Sequence, residues 1–148
     1  MVPGPRFEDV EVGLELPPRT YSVERRDLVR YAGASLDFNP IHWSPEAAER
    51  AGLPGVIAHG MLTMALAGRA VTDWVGDPGA VEDYSVRFSR PLVVDGVEGA
   101  AVEVRGRVGE LLDGERVVVE LAVTGGGRDL LTRARAVVRL SKPSSAEL

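Results

Sequence analysis

The stretch Gly60-Met61-Leu62-Thr63-Met64-Ala65-Leu66-Ala67-Gly68-Arg69-Ala70-Val71-Thr72-Asp73-Trp74-Val75 is apolar around most of its circumference for its first two turns. A helix with that pattern has to be buried, and at 1.5 Å per residue it is roughly 24 Å long. Downstream of it the apolar period changes from 3.6 to 2. Tyr84, Val86 and Phe88 alternate with Ser85, Arg87 and Ser89, and Val102, Val104 and Val108 alternate with Glu103, Arg105 and Arg107. Val117, Val119, Leu121 and Val123 follow an Asp113-Gly114 turn. Leu130, Ala134, Ala136 and Val138 follow Gly125-Gly126-Gly127 and lie opposite Arg133, Arg135 and Arg139. This pattern predicts half-buried strands joined by hairpins into an antiparallel meander. One apolar helix and four or five long strands make an α+β roll, a sheet curled around a central helix. Its outer edges would be unpaired in a monomer, so a dimer that joins or covers them is favoured.

Upstream of the helix, residues 1–19 are rich in Pro, Gly and acids and read as a surface arm leading to a short strand at Arg19–Val23. Asp27 reads as the N-cap of a helix through Leu28–Ala32 that ends before the turn-forming run Ser35–Pro40. Pro45–Ala51 begins with proline, carries acids in its first turn and stops at Gly52, which predicts a short second helix. There is no internal repeat, and the 148 residues read as one domain with a disordered tail at Ser141–Leu148.

Composition removes several function classes. The 17 basic and 22 acidic residues leave a net charge of -5, and no segment combines clustered positive charge with aromatics, so nucleic acid is not an expected partner. The longest apolar stretch is broken by Arg69 and Asp73, which predicts no membrane span. Without cysteine there is no thiolate nucleophile, disulfide or cysteine-held metal. Lys142, the single lysine, lies in the tail, far from any pocket that could desolvate a Schiff-base amine. No apolar secretory segment follows Met1, so a cytoplasmic location is expected.

The chemistry-bearing residues cluster between the two predicted helices and the long one. The chain has two histidines, His42 and His59. His42 follows Asp37 across Phe38-Asn39-Pro40-Ile41, a turn that can point both side chains into one cleft, as general acid-base chemistry requires. The same Asp-x-Asn-Pro pattern also describes a turn in which Asp37 and Asn39 bind backbone amides, and the spacing leaves both readings open. His59-Gly60 begins the long helix, so the Gly60 amide belongs to an unsatisfied first turn and can serve a developing oxyanion. Gly60 could equally permit tight chain passage, with His59 as a cap. Asp37, His42 and His59 match no common zinc spacing. Gly125-Gly126-Gly127 lacks the strand-to-helix setting of a phosphate loop, and Ser35 and Ser44 lie in no nucleophile elbow.

The run Ala32-Gly33-Ala34-Ser35-Leu36-Asp37-Phe38-Asn39-Pro40-Ile41-His42-Trp43, followed by Ile57-Ala58-His59-Gly60-Met61-Leu62, resembles the MaoC-like hydratases, the hot-dog-fold (R)-specific enoyl-thioester hydratases and dehydratases. Trp74–Val81 and Tyr84–Phe88 extend the resemblance to the catalytic B subunit of the mycobacterial-type (3R)-hydroxyacyl-ACP dehydratase. The resemblance implies a hot-dog fold, with the sheet wrapped around the long helix. It also implies reversible dehydration of (3R)-3-hydroxyacyl thioesters, carried on coenzyme A or acyl carrier protein, to trans-2-enoyl thioesters. Asp37 and His42 would be the catalytic dyad, Gly60 the oxyanion donor, and Asn39 and His59 substrate-binding residues, Asn39 by orienting the loop. No metal or cofactor is implied, and the partner would be a second hot-dog subunit in a homodimer or heterodimer. An acidic carrier would need a basic patch, for which Arg25, Arg26 and Arg30 are candidates. Trp43, Trp74, Met61 and Met64 would be core or dimer contacts, or would line an acyl tunnel. Leu36 stands where the family usually has glycine. A hot-dog acyl thioesterase and a non-catalytic acyl-binding subunit are the rival readings.

Overall fold

The computed structural model describes residues 3–140, and the tail expected at Ser141–Leu148 lies outside them. The chain runs through β1 (Arg19–Val23), α1 (Arg25–Ser35), a 3-10 turn (Pro40–His42), α2 (Pro45–Arg50) and α3 (Gly60–Val75). Four strands follow: β2 (Val81–Phe88), β3 (Ala100–Leu112), β4 (Arg116–Gly125) and β5 (Arg128–Arg139). All pair antiparallel in one sheet of order β1-β3-β4-β5-β2. Only β3, β4 and β5 form the expected meander. β2 instead lies at the far edge, against β5, because α3 must cross the sheet to bury itself and so delivers the chain to the edge opposite β1. The N-terminal arm prolongs pairing along β3 beyond β1: the Gly13 amide donates to the Val108 carbonyl and the Leu16 amide to that of Gly106.

The sheet's concave face supplies a valine-rich floor, with Val102, Val104, Val108, Val117, Val119, Val123 and Val138 all buried. Ala67, Ala70 and Val71 set α3 on that floor, and their small side chains let the helix axis come close. The helix is not buried all round, contrary to its composition. Met61, Ala65, Arg69 and Asp73, spaced four apart, form an exposed stripe, so a single chain covers only one side of it.

β2 runs antiparallel beside α3 and seats two aromatic rings on two helix glycines. A Cβ on Gly68 would lie 2.9 Å from the Tyr84 ring, and one on Gly60 would lie 3.1 Å from the Phe88 ring. Eight helical residues advance about 12 Å and four strand residues about 13 Å, so the two spacings match. The ring seat therefore accounts for glycine inside a helix, where it costs roughly 0.5–1 kcal/mol relative to alanine. The Tyr84 hydroxyl donates to the Met64 carbonyl at 2.6 Å and locks the register.

α1 begins one turn earlier than Asp27 as N-cap would require. Glu24 is the N-cap, and Asp27, at the third helical position, accepts from the Glu24 amide at 2.8 Å in a capping box. The helix ends at Leu36, whose backbone is left-handed (φ 61, ψ 22) and which is 74 % exposed. That conformation costs a non-glycine residue about 1–2 kcal/mol. Part of it is offset for leucine by the smaller entropy of its unfolded chain. Leu36→Gly is accordingly expected to raise stability by roughly 0.5–1 kcal/mol and the melting midpoint by about 2–3 °C. Thermal melts check this, and a lowered midpoint would show that the isobutyl group makes a stabilising contact.

Candidate active site

The loop 36–44 and the start of α3 meet through two histidines. Asn39 caps the 3-10 turn, its side-chain oxygen accepting from the Ile41 amide at 3.2 Å. Asp37 Oδ1 accepts from the Asn39 amide at 3.2 Å, which is the turn expected from Asp-x-Asn-Pro. Its other oxygen, Oδ2, lies 3.9 Å from His42 Nε2. One carboxylate thus serves the turn and faces the imidazole. The Asp37 side chain is 52 % exposed, whereas His42 is 7 % exposed.

Backbone carbonyls set both tautomers. His42 Nδ1 lies 2.7 Å from the Ile57 carbonyl, and His59 Nε2 lies 3.1 Å from the Asp37 carbonyl. A carbonyl only accepts, so each of these nitrogens carries the hydrogen. The lone pair of neutral His42 is then on Nε2, facing Asp37. His59, 2 % exposed, is wedged behind it: the two rings stack at 3.7 Å with planes 20° apart, and Tyr31 meets His59 edge-on at 4.8 Å. His59 Nδ1 is buried without a hydrogen-bond partner. Burial is the main cause holding the His59 pKa below its ordinary 6.5, and the charge that His42 can carry acts in the same direction.

Asp37, His42 and His59 place ligand-type atoms within 4.8 Å of one another. An imidazole binds a metal in its ring plane, at about 2.0–2.1 Å. Two stacked, nearly parallel planes do not meet that close to both nitrogens, so the arrangement fits an acid-base pair with a backing ring better than a chelate.

Gly60 is exposed and, as the first helical residue, has no carbonyl one turn back to receive its amide hydrogen. Its N–H is aided by the positive end of the helix dipole. The Phe88 ring beside it was not among the site residues expected from the sequence; the spacing of Tyr84 and Phe88 against Gly68 and Gly60 was the signal available. Large exposed apolar groups surround the constellation: Leu36 and Phe38 adjoin Asp37, Trp43 adjoins His42, and Met61 adjoins Gly60. The Trp43 indole donates to the Phe38 carbonyl at 3.1 Å and braces the loop. Of the three candidate arginines, Arg25 donates to the Val94 carbonyl and Arg26 pairs with Glu24 at 2.6 Å. Arg30 lines a cleft of about 390 Å³ together with Tyr31, Leu62, Leu66 and Arg69. Among the described residues, no helix is long and apolar enough to cross a membrane.

Residues 11–126 match the MaoC like domain family. The chain is 33 % identical over 144 residues to the 3-hydroxybutyryl-CoA dehydratase of Methylorubrum extorquens, covering 95 % of this chain and 87 % of that one. It is 30 % identical over 105 residues to the (R)-specific enoyl-CoA hydratase of Rhodospirillum rubrum, covering 70 % and 72 %. A solved MaoC-like dehydratase superposes with a TM-score of 0.91 at 45 % identity over 93 % of this chain, which spans 43 % of that longer one.

The buried His59 makes stability depend on pH with a definite sign. Below about pH 6.5 the unfolded chain takes up a proton at this position that the folded chain does not, so stability falls as pH falls through and below that value. The melting midpoint of the protein is expected to drop more steeply between about pH 7.5 and 5.5 than that of His59→Gln, which does not titrate. Equal slopes in paired melts would remove His59 as the cause.

Proposed function

The chain belongs to the MaoC-like dehydratase family, a family of hot-dog hydro-lyases, and from that premise we propose that Asp37, His42 and the Gly60 amide carry a reversible dehydration. The substrate would be a (3R)-3-hydroxyacyl thioester of coenzyme A or acyl carrier protein, and the product the trans-2-enoyl thioester and water. The observation that carries this assignment is the orientation of His42, whose Nδ1–H is spent on the Ile57 carbonyl so that its lone pair faces the Asp37 carboxyl at 3.9 Å. An oxygen atom about 2.8 Å from each group fits between them.

In the elimination direction the thioester carbonyl acidifies C2. The Gly60 N–H, at the positive end of α3, takes the growing negative charge on the carbonyl oxygen. His42 Nε2 accepts the C2 proton, the C2 electron pair forms the double bond, and the C3–O bond breaks. In this direction the Asp37 carboxyl enters the step protonated and His42 neutral, and Asp37 gives its proton to the hydroxyl, which leaves as water. Proton return from His42 to Asp37 resets the pair, and hydration runs the same steps backward. Asn39 and His59 act from behind, Asn39 by capping the turn and His59 by holding the Asp37 carbonyl and backing the His42 ring.

The exposed stripe of α3 and the free outer edge of β2 support a second hot-dog subunit, identical or related, as the partner that covers them. Arg30, beside the Tyr31 cleft, would suit the phosphates of the thioester carrier.

Hydration of crotonyl-CoA, followed by loss of the enoyl absorbance, tests the reaction. Asp37→Asn and His42→Ala are each expected to lose about 100-fold to 10,000-fold in kcat/KM, the range for positioned acid-base groups. Near-normal turnover in both would overturn the dyad, and release of free thiol without water addition would mark the protein as a thioesterase.

A further inference from the structure

We propose that Phe88 is a positioning residue for this reaction, its ring fixing the side from which a thioester carbonyl reaches the Gly60 amide and keeping water off that amide. The inference rests on the dehydratase reading of the site and adds a residue to it. Phe88 ends β2, opposite Leu131 of β5. Its backbone is held by the next residue: the Ser89 amide donates to the Leu130 carbonyl at 3.0 Å, and the Ser89 and Thr132 hydroxyls are 2.7 Å apart. The ring edge therefore approaches Gly60 from a fixed direction, with Cδ1 and Cε1 both 3.1 Å from where a Cβ would stand.

Within one chain a ring placed only for packing would be covered, and cover by a partner along β2 is told apart from a role in the site by the oligomeric state of the variants. Tyr84, in the equivalent seat on Gly68, is partly buried, and its hydroxyl is bonded to the helix. Phe88 makes no such bond and is 52 % exposed, with its ring against the first residue of α3. The residue before Gly60 is His59, which stacks on His42 and lies with Asp37 and His42 in one cluster. An amide donor stabilises an oxyanion more when water is excluded beside it, and a flat apolar wall excludes water without offering a competing donor. Gly60 is then required twice, once so that a carbonyl can approach and once so that the ring can sit.

This double requirement makes the two residues separable by experiment. Phe88→Ala is expected to lower kcat for crotonyl-CoA hydration about tenfold with KM within about twofold, short of the roughly 100-fold that a misplacement of about 1 Å can cost. Phe88→Leu, which keeps an apolar wall, should retain most of the rate. Gly60→Ala pushes the ring aside, and the loss it causes should be at least about fivefold smaller in a Phe88→Ala background, a non-additivity that a double-mutant cycle reads directly. Kinetic parameters, melting midpoints and size-exclusion profiles are measured on the full chain for the unmutated protein and all four variants. The proposal is overturned if Phe88→Ala keeps wild-type kcat, if its loss appears only together with a changed oligomeric state, or if the Gly60→Ala loss is the same in both backgrounds. If the unmutated chain fails to hydrate crotonyl-CoA or a longer enoyl-CoA, the dehydratase reading itself has failed and the role of Phe88 falls with it. The steric pairing of residues 60 and 88 would still be read from the melts.

Discussion

A reciprocal clasp of two histidines holds the site together. His42, on the loop after α1, donates to the Ile57 carbonyl on the loop before α3, while His59, at the start of α3, donates back to the Asp37 carbonyl. The Ile57 amide adds a bond to the Ile41 carbonyl at 3.2 Å, and the two imidazoles stack within the loop. The loop before α3 is itself tied to residues 92–94, the Ala58 amide donating to the Leu92 carbonyl and the Val94 amide to that of Val56, both at 2.9 Å, and the histidine bonds carry that placement across to Asp37 and His42. Buried polar contacts of this kind are costly when half satisfied. The clasp also decides chemistry, since each imidazole must give one N–H to a carbonyl and so presents a defined lone pair with its other nitrogen.

At Asp37 the turn reading and the proposed catalytic reading of one motif do not compete. The carboxylate has two oxygens; one organises Asn39 and the 3-10 turn, and the other points toward His42. The bond that shapes the loop is what aims the second oxygen. Proline at position 40 contributes by ending α1 short of the helical path it would otherwise follow, and by starting the turn with a preset φ.

Local grammar was legible wherever it was complete. β1 and α3 fall on the residues that spacing and breakers predicted, Arg19–Val23 and Gly60–Val75, because each is bounded by its own start and stop signals. What failed required knowledge of the distant chain. Hairpins at Asp113-Gly114 and Gly125–Gly127 are local and were readable, whereas the placement of β2 at the far edge depends on where α3 crosses the sheet. Apolar composition around α3 predicted burial on all sides, yet a single sheet has only one concave face to offer. The Asp27 cap was misplaced by one turn because Asp27 does bond a backbone amide, but as the third helical residue of a capping box. Phe88 went unnoticed as a site residue since strand alternation reports which face a ring occupies and not which helix residue it meets.

Several exceptions to ordinary packing lie at this one place, among others elsewhere such as the buried Tyr21 hydroxyl without a hydrogen-bond partner. Among the described residues, three non-glycine residues have a positive φ: Leu36, Glu115 and Arg133. Glu115 follows the Asp113-Gly114 turn, and Arg133 lies on β5, where pairing with β4 shifts register, so both have topological reasons. Leu36 ends a helix where glycine would be unstrained, and it directly precedes Asp37. The unpaired nitrogen of His59, the half-exposed rings of Phe38, Trp43 and Phe88, and the exposed Met61 lie within one residue of, or against, Asp37, His42 or Gly60. Folding stability alone gives no reason for such features to collect around one loop and one helix end. The sheet and α3 provide enough buried apolar surface to tolerate local strain there, and the proposed site, which would have to admit an acyl chain and keep an imidazole lone pair free, could not also be packed shut.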